Sequence, residues 1–189
     1  RPLTEDYVGQ TGTETTYTYD SCTNGVGHLC SVAMISGANT AYAYDMVGNI
    51  ASETKTISGT AYTTSYTYDR QGNQFVITYP DNSQVRHTFN TAGLFEKTER
   101  KEASGSFTDV VSSIEHSPMG QVITQVDANG VTITSTYDAT KLYRLTRKLA
   151  LNNASGKIQD LNYVYDNVGN ITQITDASNI GVSKETDYS

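Results

Sequence analysis

Cys22 and Cys30 carry the most explicit chemistry in the chain, within Cys22-Thr23-Asn24-Gly25-Val26-Gly27-His28-Leu29-Cys30. Seven residues separate the two thiols, with a turn-prone Asn24-Gly25 pair between them. A hairpin at that pair would bring the sulfurs together, and a loop this short would contribute about 2–3 kcal/mol if bridged without strain. Two free, buried thiols are the other outcome. Zinc is poorly served, because two Cys and His28 are too few ligands at unsuitable spacing. A bridge would place the protein outside the cytosol.

Other reactive side chains are scattered. His28, His87 and His116 have no nucleophile motif and no recurrent carboxylate beside them. A Ser–His or Cys–His site could form only in the folded chain. No catalytic residue is assigned, and the expectation is a protein that is not an enzyme, with no metal and no cofactor. A row of aspartates (Asp20, Asp45, Asp69, Asp138, Asp166) invites a calcium reading. The row lacks the Gly-Gly-x-Gly-x-Asp pattern of calcium β-rolls. Asn90 and Ser117 stand where further aspartates would be. Turn capping accounts for all seven positions, since Asp, Asn and Ser all serve there. Tyrosine pairs at 17/19, 42/44, 66/68 and 163/165 could stack on sugars. The competing reading makes them the buried face and ladder of a sheet.

What positions these residues is a repeat. Seven stretches align on Tyr-Asp: Tyr19-Asp20, Tyr44-Asp45, Tyr68-Asp69, Phe89-Asn90, His116-Ser117, Tyr137-Asp138 and Tyr165-Asp166. Their spacing of 21 to 28 residues is that of stacked supersecondary units. In Tyr-x-Tyr-Asp the two rings share one strand face. The Asp opens a turn and accepts backbone N–H groups. Glycine follows at Gly48, Gly72, Gly93, Gly120 and Gly169, as a left-handed turn residue requires. The partner strand resumes at or after Asn49, Asn73 and Asn170. Pro80-Asp81-Asn82-Ser83 and Asp127-Ala128-Asn129-Gly130 mark return connections. No stretch has a helical period with capping signals. The expected fold is all-β: tandem β-hairpins in one long twisted antiparallel sheet, a single array over 1–189.

Composition agrees. The chain has 14 Tyr, 28 Thr, 4 Phe and no Trp, so strand formers with polar tips carry the burial. A net charge of -7 argues against nucleic acid. The small basic clusters Lys97/Arg100/Lys101 and Arg144/Arg147/Lys148 are expected on solvated strand faces. No run approaches the ~20 apolar residues of a membrane helix, so no membrane insertion is expected. The sequence opens Arg1-Pro2-Leu3-Thr4 without a leader and stops at Asp187-Tyr188-Ser189, which looks like an eighth copy. Both ends suit a piece of a longer chain. Its terminal strands would then expose unpaired edges prone to self-association.

These motifs resemble the Rhs/YD-repeat family, whose unit reads Tyr-Asp-x-x-Gly-Asn/Arg-Leu/Ile followed by a Thr-rich strand. Residues 44–50, 68–73 and 165–171 match closely, and 137–146 resembles the Arg-Leu version. The resemblance implies a spiral β-shell. In bacterial members, including Tc toxin complexes, such a shell encloses a C-terminal toxic polypeptide; in teneurins it belongs to a cell-surface adhesion receptor. The implied role is a wall segment of a secreted or cell-surface protein. Its partners would be the remaining repeats and C-terminal domain of the parent chain. A glycan-binding adhesin module is the alternative, with glycans as partners. The Asp-Pro-x-Gly-Leu-type closing motif is not matched, since the prolines follow Arg1, Tyr79 and Ser117. No autoproteolytic residue or toxin activity carries over.

Overall fold

The computed structural model describes residues 1–9, 11–154, 156–178 and 184–187 of the 189; Tyr188, the start of the expected eighth copy, lies outside them. Short strands alternate with tight turns. The first eight are β1 (Thr4–Glu5), β2 (Thr15–Tyr19), β3 (Leu29–Met34), β4 (Asn39–Tyr44), β5 (Ile50–Ile57), β6 (Thr60–Tyr68), β7 (Gln74–Thr78) and β8 (Gln84–Phe89). Then come β9 (Phe95–Lys101), β10 (Thr108–His116), β11 (Val122–Asp127) and β12 (Val131–Asp138). The last four are β13 (Arg144–Asn152), β14 (Gly156–Tyr165), β15 (Ile171–Asp176) and β16 (Lys184–Asp187). The fold is all-β and antiparallel, with strand order following chain order from β1 to β16. A single three-residue 3-10 turn, Ala139–Lys141, is the helical content among the described residues.

By compactness the chain forms two units, Arg1–Arg86 with Arg100–Phe107, and His87–Glu99 with Thr108–Ser189. Within each unit two kinds of turn alternate, so the Tyr-Asp turns share one edge and the return connections the other. The returns use their own chemistry. Ser58-Gly59 joins β5 to β6 with both residues at positive φ, 49° and 80°, the two-residue geometry that suits sheet twist. At the β7–β8 return, Asn82 takes φ 65° and Asp81 Oδ1 accepts from the Ser83 N–H and hydroxyl, at 2.9 and 2.7 Å.

Six of the Tyr-Asp turns leave the same irregularity in the ladder. Tyr44 pairs with Ile50 but Ala43 pairs with Ser52, so Ala51 is an extra residue. The same one-residue shift falls just before Tyr19, Tyr68, His116, Tyr137 and Tyr165. These are β-bulges, which locally sharpen strand twist.

Burial is sparse. Among the described apolar side chains only Cys30, Tyr44 and Ala150 are buried, at 4%, 8% and 8% exposure. Of the motif tyrosines, Tyr44 is buried and Tyr17, Tyr19, Tyr42, Tyr66, Tyr68, Tyr163 and Tyr165 are half-buried. The sheet is a single layer, so each ring is covered by neighbouring strands and turns. The expected sheet core is therefore a thin one.

The two cysteines form a disulfide, with Cα atoms 5.4 Å apart. It does not join two strand arms: Cys22 lies in the long turn after β2 and Cys30 on β3. The bridge folds that turn onto the next hairpin. Tyr44 N–H donates to Thr23 O at 3.1 Å, and Asn24 Nδ2 donates to Tyr44 O at 2.8 Å. Gly25 sits under the bridge, where a Cβ would collide with both sulfurs and would lie 2.9 Å from Cys22 O. Space, not dihedral freedom, excludes a side chain there. Gly25→Ala is expected to cost about 1–3 kcal/mol in denaturant unfolding under oxidising conditions. The cost should fall when Cys22 and Cys30 are both serine; an equal cost in that background would contradict this packing.

Candidate functional site: the tyrosine–aspartate turns

The recurring site is a five-residue turn built on one side-chain oxygen. In the Asp45 turn, Asp45 N–H donates to Asn49 O at 2.9 Å and Gly48 N–H to Asp45 O at 3.2 Å. Those bonds leave the N–H groups of Val47 and Asn49 pointing into the turn. Asp45 Oδ1 accepts both, at 2.9 Å each. The arrangement recurs at Asp69, Asn90, Ser117 and Asp166, with the side-chain oxygen 2.8–3.2 Å from the amides two and four residues on. The fourth residue is glycine at positive φ throughout: Gly48, Gly72, Gly93, Gly120 and Gly169.

Which residue caps is tied to its partner four residues later. Asp45, Asp69 and Asp166 each face an asparagine, whose amide donates to Oδ2 at 3.0, 2.9 and 2.9 Å. Asn90 faces Leu94, whose side chain has no donor. Only a carboxylate offers a second acceptor, so Asp goes with Asn and Asn with an apolar residue.

Two copies depart. After Asp20 the turn is longer: Gly27 N–H donates to Asp20 Oδ1 at 2.7 Å and Asp20 N–H to His28 O at 3.1 Å. At Asp138 the carboxylate accepts from the Thr140 N–H and hydroxyl at 2.8 and 2.6 Å, capping the 3-10 turn. Leu142 and Tyr143 there hold φ of 57° and 55°, with Tyr143 in the glycine's place.

Four of the tyrosines that precede an Asp tie their hairpin to the previous one. Hydroxyls of Tyr44, Tyr68, Tyr137 and Tyr165 donate to Leu29, Ile50, Val122 and Leu145 carbonyls at 2.6, 2.9, 3.1 and 2.7 Å. Each acceptor is the residue paired with the preceding repeat's tyrosine or its equivalent. Phe89 has no hydroxyl and instead meets Phe95 edge-on at 5.8 Å. In three copies the residue ending the turn leans onto the next one. His28 stacks on Tyr44 at 4.4 Å, Leu94 reaches toward Gly120, and Arg144 lies 5.7 Å over Tyr165 and against Gly169.

The turn carboxylates are held below the ordinary carboxylate range. At Asp69 and Asp166 the asparagine amide is the main cause, followed by backbone N–H groups. At Asp45 desolvation is the largest single influence and raises it, but the Asn49 amide and backbone donors together outweigh it.

The histidines do not converge. His87 Nδ1 lies 3.2 Å from Thr98 Oγ1, and burial pushes its imidazole down. His116 Nδ1 is buried without a hydrogen-bond partner. Within the first basic cluster, Lys97 pairs with Asp109 at 2.8 Å, Arg100 with Glu102 at 3.6 Å, and Lys101 approaches the Phe107 ring.

One charged centre has no sequence forecast. Asp160 is 1% exposed and accepts from Arg147 Nε and Nη2 at 2.6 and 2.8 Å and from Lys157 Nζ at 2.7 Å. Arg147 and Asp160 are diagonal across the β13–β14 hairpin, since Arg147 pairs with Asn162 and Asp160 with Leu149. Opposite charges diagonal across a hairpin were the available signal, but the bulge between Ala150 and Leu151 hides the register. The Arg147 guanidinium, then Lys157, hold the carboxyl far below its ordinary range despite desolvation.

Comparison with known proteins agrees with this geometry. Residues 44–84 match the RHS Repeat family profile. The chain is similar to toxin subunit YenC1 of Yersinia entomophaga, 30% identical over 118 residues, covering 60% of this chain and 12% of that subunit. Toxin subunit YenC2 of the same organism is 29% identical over 136 residues, covering 69% of this chain and 14% of the subunit. The chain thus spans about an eighth of the length of these relatives. A crystal structure of TcdB2-TccC3 shares the fold, with TM-score 0.80 and 18% identity over 93% of this chain and 10% of that one.

Two outcomes test the site. Asp69→Asn should lower the unfolding midpoint, because its amide would face the Asn73 amide; adding Asn73→Leu should restore most of the loss, as in the natural Asn90–Leu94 turn. Additive losses would refute the pairing. For Asp160, a folded-state pKa below the unfolded one contributes stability that is complete above about pH 4 and fades as pH falls through the folded value. Asp160→Asn is therefore expected to cost about 1–2 kcal/mol at pH 7, with the difference from wild type shrinking in acid. Unfolding curves between pH 7 and pH 2 check it.

Proposed function

The chain is built of Rhs/YD repeats of the Tc-toxin type, and from that premise we propose that it is a scaffold segment, forming part of the wall of a β-shell around a toxin or passenger domain of its parent chain. The carrying observation is the single antiparallel sheet with three buried apolar side chains among those described. Such a layer suits a wall, where strength comes from ladders and turn ties, more than a pocketed enzyme. The tips of the Tyr-Asp turns add support. Met46, Val47, Leu142 and Val168 are 81–93% exposed, an apolar surface suited to contact with further protein. The role is non-enzymatic, and the setting is extracellular, in keeping with the disulfide.

A second reading has its own observation. Exposed Tyr62 and Tyr79 flank Pro80, Asp81 and Ser83 in an open groove of about 490 Å³ at a return edge, two aromatic faces beside hydroxyl and carboxylate groups. This is the chemistry of a sugar-stacking surface in an adhesin module.

The two readings separate in the full-length parent protein. In a shell, limited proteolysis should spare the domain downstream of the repeats until the repeats themselves are cut. Cleavage of that domain at the same rate with the repeats intact would overturn enclosure. A glycan array with hits abolished by Tyr62→Ala and Tyr79→Ala would favour the adhesin.

A further inference from the structure

Two arginines of the chain already sit on Tyr-Asp units. Arg1 Nη1 bonds Asp20 carboxylate oxygens at 3.0 and 2.9 Å, with its guanidinium 5.2 Å from the Tyr19 ring centre. Arg144 covers Tyr165 at 5.7 Å and presses on Gly169 of the same turn. A guanidinium fits there for stated reasons. The ring face attracts the cation, the carboxylate fixes its donors, and a glycine without Cβ lets the planar group lie flat on the turn.

At Tyr68-Asp69 the same seat is open. The position matching Arg144 is Asn49, because Asp138 pairs with Arg144 as Asp45 does with Asn49. The short Asn49 amide is turned back onto Asp45 at 3.0 Å and cannot cover the next ring. What remains is a groove of about 430 Å³ lined by Asp45, Asn49, Tyr68, Asp69, Arg70 and Gly72. Two carboxylates against one cation, in a chain of net charge -7, give the groove the sign that complements an arginine.

We propose that the Tyr68–Asp69 groove binds the guanidinium of an arginine presented by another polypeptide segment, combining the ring and glycine contacts Arg144 makes with the carboxylate contact Arg1 makes within the chain. Bound, the guanidinium stacks on Tyr68, meets the free lone pairs of Asp69 and lies against Gly72. Arg70 opposes it, so Arg70→Gln should tighten binding. The comparable groove of about 350 Å³ at Ser117, Gln121, Tyr137 and Tyr143 has no carboxylate in its lining and should bind more weakly. The proposal does not depend on the shell reading, and its failure would leave that reading intact.

The test is an NMR titration of the ¹⁵N-labelled chain with N-acetyl-arginine methylamide, its lysine counterpart and the neutral citrulline isostere. Expected are saturable shifts centred on the Gly72 and Asn73 amides with arginine, several-fold weaker with lysine and absent with citrulline. Asn49→Arg should move Gly72 toward its bound position without ligand and remove the response to added arginine. Leu94 occupies the corresponding place in a natural turn, so the backbone tolerates that substitution. If that variant fails to fold, Asp69→Asn combined with Asn73→Leu, the pair the natural Asn90–Leu94 turn already demonstrates, should weaken binding several-fold. Equal shifts from all three ligands, shifts centred elsewhere, or an undiminished response in the variant that folds would overturn the proposal.

Discussion

The repeat hangs on one side-chain oxygen accepting two backbone N–H groups at the start of five of the seven Tyr-Asp turns. A five-residue connection between antiparallel strands leaves amides that neither strand can accept. Asp45, Asp69, Asn90, Ser117 and Asp166 supply that acceptor from within the turn. Once the oxygen is placed, the rest follows locally. The fourth residue must turn left-handed, so it is glycine. The chain re-enters the ladder one residue out of step, which produces the bulge beside each tyrosine. The tyrosine then lies past the end of the regular ladder, with its hydroxyl on a carbonyl of the preceding hairpin.

A sheet made this way has little core to rely on. Its cohesion is a sum of contacts between consecutive hairpins, as in other repeat architectures. Two local reinforcements sit where the repeat departs from its pattern. The disulfide closes the longest Tyr-Asp turn, between Asp20 and His28. The Arg147–Asp160–Lys157 cluster lies in the β13–β14 hairpin that follows the 3-10 turn, where Leu142 and Tyr143 carry left-handed backbone without glycine. A buried carboxylate with two cations resists shear between those strands, because any slip strands the charge.

Similar repeats also differ in what covers them. His28, Leu94 and Arg144 fill the space over the next turn; Asn49 does not. The cause is the capping pair itself. An asparagine that serves the carboxylate behind it is no longer available to the ring ahead. The choice of Asp with Asn thus strengthens one turn and leaves a groove at the next.

The all-β hairpin array, the Tyr-Asp turns and two of the return connections were legible in the sequence, because each depends on interactions within five or six neighbouring residues. The bridge between Cys22 and Cys30 was legible for the same reason. Tertiary structure alone decided the rest. It turned the disulfide from a link between arms into a clamp of the long turn onto Tyr44, and it left most tyrosines half-buried because a single layer has no facing sheet. It made Asp160 the most buried charge among the described residues and opened the groove at Tyr68. Those features rest on register across strands, and a bulge of one residue shifts register in ways that spacing along the chain does not record.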